Sequence, residues 1–431
     1  MKAYRVLPVS LSIIMLAVCA TLLMPTAAGA QDMGGDLSPG AGIFRPKNPE
    51  TKRRTPKPVT KPVTKPVTRP TVNPTRPNTN PSRPTTTPPP DTEERVEDAL
   101  EEGNEARDAR KYAEAEQAYR MAQHLNPHDA RGAYGLGNIY TDQQRWEDAE
   151  KAYRQAVEFS PKSPDALIAL SYVLVQPRTG ASNAKRFADS ELFARRAVEL
   201  QPTNAIAYDR LGSALEARAI INQETEQSYR RAVELDPQFA VAYVHLARVL
   251  RKMNRPKDAE PFYQRAIELA KDAPTLILIA DALQSEQRWA DSEPILRRAL
   301  GLDEHNPVAL FLLGKMLIVK RQYNDAEPIL KQAIEISPRS FQTYNILGQA
   351  YLKMERYEDA ERIYNRAAEF APAADRKGLA GAYGLGGVGD GFIKTGRAPD
   401  AVRAYQRALQ LDPGNTELQT KLAEARARMK G

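Results

Sequence analysis

Three places in the sequence carry residue types at spacings that could do chemistry. Gly384-Leu385-Gly386-Gly387-Val388-Gly389 has the glycine spacing that lets a backbone approach a dinucleotide pyrophosphate. That chemistry needs a strand before the glycines inside a βαβ unit, and no strand pattern precedes Gly384. Ser182-Asn183-Ala184-Lys185 places a lysine where it could activate a serine, but the companion motifs of such enzymes are missing. His124 and His128 stand four apart, a spacing that can put two imidazoles on one helix face for zinc. Asn126-Pro127 ends the helix between them, no third ligand accompanies them, and His245 and His305 are isolated. The Asp and Glu residues are spread as helix-solvating charges, and no carboxylate pair stands out. The reading is a chain without catalytic residues, metal or cofactor, and not an enzyme.

The elements that must position any site divide the 431 residues into four stretches. Residues 1–30 read as a signal peptide: Lys2 and Arg5, an apolar run from Val6 to Met24, Pro25, and Ala28-Gly29-Ala30 as a small-x-small cleavage site. Two alternatives stay open, a lipoprotein signal at Leu16-Ala17-Val18-Cys19 and a retained helical anchor. Cleavage after residue 30 removes Cys19, the single cysteine, so disulfide and thiolate chemistry are excluded from the mature chain. Localisation is expected in the periplasm or cell envelope of an exported bacterial-type protein.

Residues 31–90 read as a disordered, basic, Pro/Thr-rich linker. They hold eleven Lys and Arg against three acidic residues, with Lys-Pro-Val-Thr repeated at 57–60, 61–64 and 65–68. Proline fixes φ and pushes the preceding residue toward extended backbone, so residues 51–90 read as a polyproline-II spacer of about 120 Å. A second reading lets these cations bind anionic cell-wall polymer or a membrane surface. The formal charge of +7 belongs to this tail and the leader. Residues 91–431 carry 48 basic against 51 acidic residues, which argues against a nucleic-acid partner.

From Asp91 onward a helical pattern recurs. The stretch Tyr-(Arg/Gln)-x-Ala-apolar-x-apolar-x-Pro returns, as in Tyr153…Ala156…Pro161 and Tyr405…Ala408…Pro413. Its alanine falls at 122, 156, 197, 232, 266, 299, 333, 367 and 408, with a modal spacing of 34. An apolar-small pair opens most units, as at Leu136-Gly137 and Leu347-Gly348, and an aromatic such as Trp146 or Tyr357 precedes the second helix. Small residues are expected where two antiparallel helices approach, with tyrosines filling the gaps and proline closing each second helix. Unit three is seven residues longer at Pro177–Phe187, and the last unit gains seven around Ala373–Leu379. The eight glycines between 378 and 396 make the last unit's first helix the weakest expected, at roughly 1 kcal/mol per glycine. Residues 414–431 read as a C-terminal capping helix.

Between about 93 and 413 this pattern closely resembles the tetratricopeptide repeat (TPR) family. The resemblance implies an all-α, right-handed superhelical solenoid of about nine helical hairpins over 91–413, plus the cap. It also implies that first helices line a concave groove that takes a peptide or helix of another protein. On this chain the groove positions that the resemblance offers are Tyr134, Asn138, Ile168, Tyr172, Arg248, Arg251, Asp281, Phe311, Lys315, Ile318, Asn345 and Gln349, expected to be exposed. Asp209, Ser213, Val244, Ile277 and Leu352 belong to the same faces. The family's chaperone-tail clamp needs a lysine where this chain has Leu100; Asn104 and Asn138 match only its asparagines. The functional expectation is an envelope scaffold for protein partners, with a glycan-binding assembly or secretion factor as the alternative.

Overall fold

The computed structural model describes residues 45–51, 90–178, 183–373 and 375–429. The signal peptide, most of the linker and Ser182 of the Ser-x-x-Lys stretch lie outside the described residues. All regular structure among the described residues is helical, and the chain divides into two compact units, Arg45–Val173 and Leu174–Gly431.

The N-terminal unit contains α1 (Pro90–Asp108), α2 (Tyr112–Leu125), α3 (Ala130–Asp142), α4 (Trp146–Phe159) and α5 (Pro164–Leu174), the last belonging to it through Val173. The C-terminal unit runs through α6 (Asn183–Leu200), α7 (Ala205–Ala217), α8 (Gln223–Leu235), α9 (Ala240–Lys252) and α10 (Pro256–Leu269). It continues through α11 (Ala273–Ser285), α12 (Trp289–Leu302), α13 (Pro307–Val319), α14 (Tyr323–Ile336), α15 (Phe341–Lys353) and α16 (Tyr357–Phe370). The short α17 (Arg376–Ala380), then α18 (Leu385–Lys394), α19 (Ala398–Leu411) and α20 (Thr416–Arg428) complete it. Within each unit successive helices pack as antiparallel hairpins, α1 on α2, α3 on α4, α7 on α8 and so on to α18 on α19.

Each hairpin is built the same way. The recurring alanines are at most 1% exposed, because the two helices approach there. Their carbonyls also accept the closing bond of the second helix, for example Asn126 N to Ala122 O at 3.0 Å and Asp412 N to Ala408 O at 3.0 Å. In several hairpins a glycine of the first helix meets a tyrosine ring, and Gly314 meets Leu330 instead: a Cβ on Gly137 would stand 2.4 Å from Tyr153 Cε1. Between the helices one residue takes a left-handed conformation, at Arg110, Gln144, Ala219, Asn254, Gln287, Arg321, Glu355 and Gly396. That turn lets the next N–H reach back and satisfy a first-helix carbonyl, as Arg145 N does to Tyr140 O at 2.8 Å. First helices start on side-chain caps at Asp129, Asn204 and Asn306, and the C-terminal α20 on one at Asn415.

The departures from the period resolve locally. Residues 183–187 of the long third unit extend α6 to 18 residues and do not form a loop. In the last unit the insertion holds α17, and the glycines are there for close approach. A Cβ on Gly384 would lie 2.0 Å from Leu379 O, and one on Gly387 2.0 Å from Ala382 O. Gly389 and Gly391 lie against the Tyr405 and Tyr357 rings. The C-terminal α20 buries Leu418, Leu422 and Ala425, bonds Asp390 through the half-buried Lys421 and exposes its other charges. Among the described residues no helix is long and apolar enough to cross a membrane.

Candidate peptide-binding groove

The inner face of the N-terminal unit is built on two asparagines, each locked from behind. Tyr153 of α4 donates its hydroxyl to Asn138 Oδ1 at 2.9 Å, and Tyr119 of α2 donates to Asn104 Oδ1 at 2.9 Å. Burial pushes both phenols well above their ordinary pKa, so they stay protonated and act as donors. With each carbonyl oxygen occupied, each amide must turn its NH2 toward the groove.

Those amides are used. Residues 45–51, part of the stretch expected to be a disordered linker, are packed on this unit and correct that expectation for these seven residues. Asn138 Nδ2 donates to Lys47 O at 2.7 Å, and Asn104 Nδ2 donates to Pro49 O at 3.0 Å. Arg107 Nη1 donates to Pro46 O at 2.8 Å, and Arg131 Nη1 to Glu50 O at 3.1 Å. Four backbone carbonyls of the segment are therefore held by four side chains of the unit. Arg107 is only 1% exposed and is itself aimed by Asp142, which accepts from its Nε at 2.8 Å and its Nη2 at 2.9 Å. A two-point guanidinium–carboxylate pair fixes the plane of the donor fork, leaving Nη1 directed at the segment.

Side chains of the segment add a second layer. Pro46 and Pro49 are buried, while Lys47 and Glu50 are exposed. Asn48 is gripped at both ends, by Arg107 Nη1 on its Oδ1 at 2.8 Å and by Asp108 Oδ2 on its Nδ2 at 3.0 Å. Arg45 reaches Asp108 Oδ1 at 3.0 Å and lies 3.7 Å from Asp142.

Of the positions expected on exposed groove faces, Asn138 contacts the segment but is fully buried. Tyr134, Ile168 and Tyr172 are also buried, which corrects the expectation of exposure. Tyr134 lies on the Tyr153 ring with centroids 5.7 Å apart, and Tyr172 lies against Trp146 at 6.3 Å. Leu100, at the place of the clamp lysine, is fully buried. Sequence reasoning missed Arg107, Arg131 and Asp142. No local signal marks them, because each takes its role from partners distant in the chain.

In the C-terminal unit the candidates are spread over α9, α11, α13 and α15, and the basic ones are already engaged. Arg248 Nη2 donates to Glu216 Oε2 at 2.9 Å, joined by Lys252 at 3.0 Å and by the Tyr229 hydroxyl at 2.5 Å. Burial works to raise the Glu216 pKa, but the charges of Arg248 and Lys252 overcome it and hold the carboxyl at about 2. Arg251 pairs with Glu286 at 2.6 Å. Burial raises the Asp281 pKa and lowers that of Lys315, each tempered by the other's charge, and Lys315 Nζ lies 5.7 Å from the Trp289 ring. Phe311, Asn345 and Gln349 are half-buried, as are Ser213 and Leu352. Ile318, Val244 and Ile277 are buried in the core, and so is Asp209, against the expectation. Asp209 accepts from His245 Nδ1 across 2.7 Å and pairs with Arg210.

Residues 100–164, 242–276 and 339–413 match models of the tetratricopeptide repeat. Residues 285–367 match a model described as anaphase-promoting complex, cyclosome, subunit 3. No curated protein matches the chain. Among solved structures it is similar to MamA, at 19% identity over 41% of this chain and 92% of that one, with a TM-score of 0.35. It is similar to YrrB, described as a TPR protein with an unusual peptide-binding site, at 22% identity over 42% and 92% of the two chains, TM-score 0.33. It is also similar to a monomeric mutant of IFIT1 with Gppp-AAAA, at 13% identity over 78% and 85%, TM-score 0.46. With hairpins of a shared build in both units and four family-model matches of this type that together span more than half of its length, the chain belongs to the tetratricopeptide repeat family.

Proposed function

We propose that this protein is a non-enzymatic scaffold of the cell envelope that holds extended segments of partner proteins in the grooves of its helical repeats. One observation carries the reading: the N-terminal groove holds a non-helical stretch through four backbone carbonyls, each bonded to a side chain of the unit, three of them oriented from behind. Carbonyl contacts of this kind hold the path of a peptide backbone and leave selectivity to the side chains that flank it, so the groove is suited to chain recognition. The envelope location rests on the leader-like residues 1–30.

The test is a comparison of the exported, tagged chain with its Asn138→Asp variant. The substitution keeps an oxygen for Tyr153 but removes the donor to the peptide. Cross-linked envelope proteins recovered with the natural chain should be depleted several-fold with the variant. An unchanged set would remove the groove from the function, and recovery only from the cytoplasmic fraction would remove the envelope.

A further inference from the structure

We propose that the N-terminal groove is a receptor for Arg-Pro-x-Asn-Pro segments of partner proteins, and that residues 45–51 are an internal copy of this ligand that a partner must displace. The proposal rests on the peptide-scaffold reading and deepens it. The segment shows which side chains the groove reads. Arg45 is placed by Asp108, Asn48 is bonded at both ends, and the two prolines are buried, whereas Lys47 faces solvent and fills the free position. A proline spacing of three matches one turn of polyproline II, which puts both rings on one face.

The spacing is selective within this chain. Arg69-Pro70-Thr71-Val72-Asn73-Pro74 and Arg76-Pro77-Asn78-Thr79-Asn80-Pro81 carry the same residues with one more between the first proline and the asparagine. One added residue displaces the Asn-Pro pair by about 3 Å along an extended chain, enough to take the asparagine off Arg107 and Asp108 while the arginine stays at Asp108. Only Arg45–Pro49 has the spacing that satisfies all these contacts together.

The segment is attached as a ligand is attached. Its bonds to the unit run through side chains, Arg45 and Asp108 are about half exposed, and it supplies no helix to the hairpin core. The 38 residues 52–89 tether it, and a tether of that length gives an effective concentration on the order of 1 mM. A weak internal ligand therefore stays bound, and an external segment competes only by binding more tightly or by arriving in several copies.

The test uses a fluorescein-labelled peptide of residues 44–52 titrated by anisotropy against the full chain and against its R45A/N48A variant, with thermal melts as the folding control. The variant should bind the peptide about 10-fold more tightly than the natural chain, because its internal competitor is weakened. Adding Asn138→Asp, or independently Asn104→Asp, to the variant should weaken the peptide about 10-fold, and a peptide of residues 69–75 should bind about 10-fold more weakly than 44–52. Should R45A/N48A melt early, N48A alone, which keeps both prolines, carries the comparison. Equal affinity of the natural chain and the variant would overturn the internal plug, as would peptide affinity blind to Asn138 and Asn104. Concentration-dependent dimers of the natural chain that Asn138→Asp abolishes would seat a second copy in the groove and also overturn it. Tightening of the peptide together with no groove-dependent envelope partner would remove the envelope scaffold while leaving this recognition intact. The reverse pattern would remove the plug and keep the scaffold.

Discussion

Asn138 shows how one repeat position becomes a site. In the periodic pattern it is an inner-face residue of a first helix, and the family resemblance already placed it and Asn104 there. Its working direction comes from a second residue, because the Tyr153 hydroxyl occupies Oδ1 and leaves Nδ2 to the peptide. Tyr153→Phe should therefore cost about 1 kcal/mol of stability in a denaturant titration, the usual worth of a buried hydrogen bond. The same variant should loosen residues 45–51, read as faster limited proteolysis near Lys47; proteolysis at the natural rate would show that the tyrosine does not orient the amide. Arg107 was not legible at this scale. Nothing in Ala106-Arg107-Asp108 marks a buried cation, since its burial depends on Asp142, 35 residues away, and on a segment 59 to 61 residues earlier.

Hairpins were the most legible elements, since the alanine spacing records a close helix approach that nothing larger fits. Gly348 illustrates the constraint: an added Cβ would fall 2.7 Å from the Tyr364 ring. Gly348→Ala should cost about 1–3 kcal/mol by forcing the ring off its position, and a melting temperature equal to that of the natural chain would contradict the packing. The turns inside the hairpins were not legible, because among the described residues their left-handed residue is glycine only at 396 and is otherwise Arg, Gln, Ala, Asn or Glu. Ala219 has φ +59° on an exposed turn and gains nothing there from its side chain. Ala219→Gly should stabilise the C-terminal unit by up to about 1 kcal/mol in a chemical melt, whereas destabilisation would show that the strain is absent. The exposure of the inner faces was misjudged for an element-level reason. First helices pack on neighbouring first helices, as well as on their own partners, so Ile318, Val244 and Ile277 join the core.

At the scale of the whole chain the two units differ in how they hold charge. The C-terminal unit buries Glu216 and Asp209, whose partners hold each carboxyl at about 2 in spite of burial. A depressed carboxyl stabilises the fold above its unfolded value near 4.3 or 3.9, and that contribution disappears as pH falls toward 2. For Glu216 the loss amounts to about 3 kcal/mol, so thermal melts should fall steeply between pH 4.5 and about 2. Arg248→Ala should move that transition to higher pH, and a melt insensitive to acid in the natural chain would contradict the network. The basic stretch also takes on a different place. Residues 45–51 and α1, which flank the basic stretch, belong to the same unit. The central claim is that the N-terminal groove grips an extended segment, and a photo-cross-linking amino acid in place of the exposed Lys47 tests it most directly. Illumination of the full chain should yield intramolecular links to the α1 and α3 faces carrying Asn104, Arg107 and Asn138, and Asn138→Asp should deplete them. Links scattered over the surface, or unchanged by that substitution, would contradict the account.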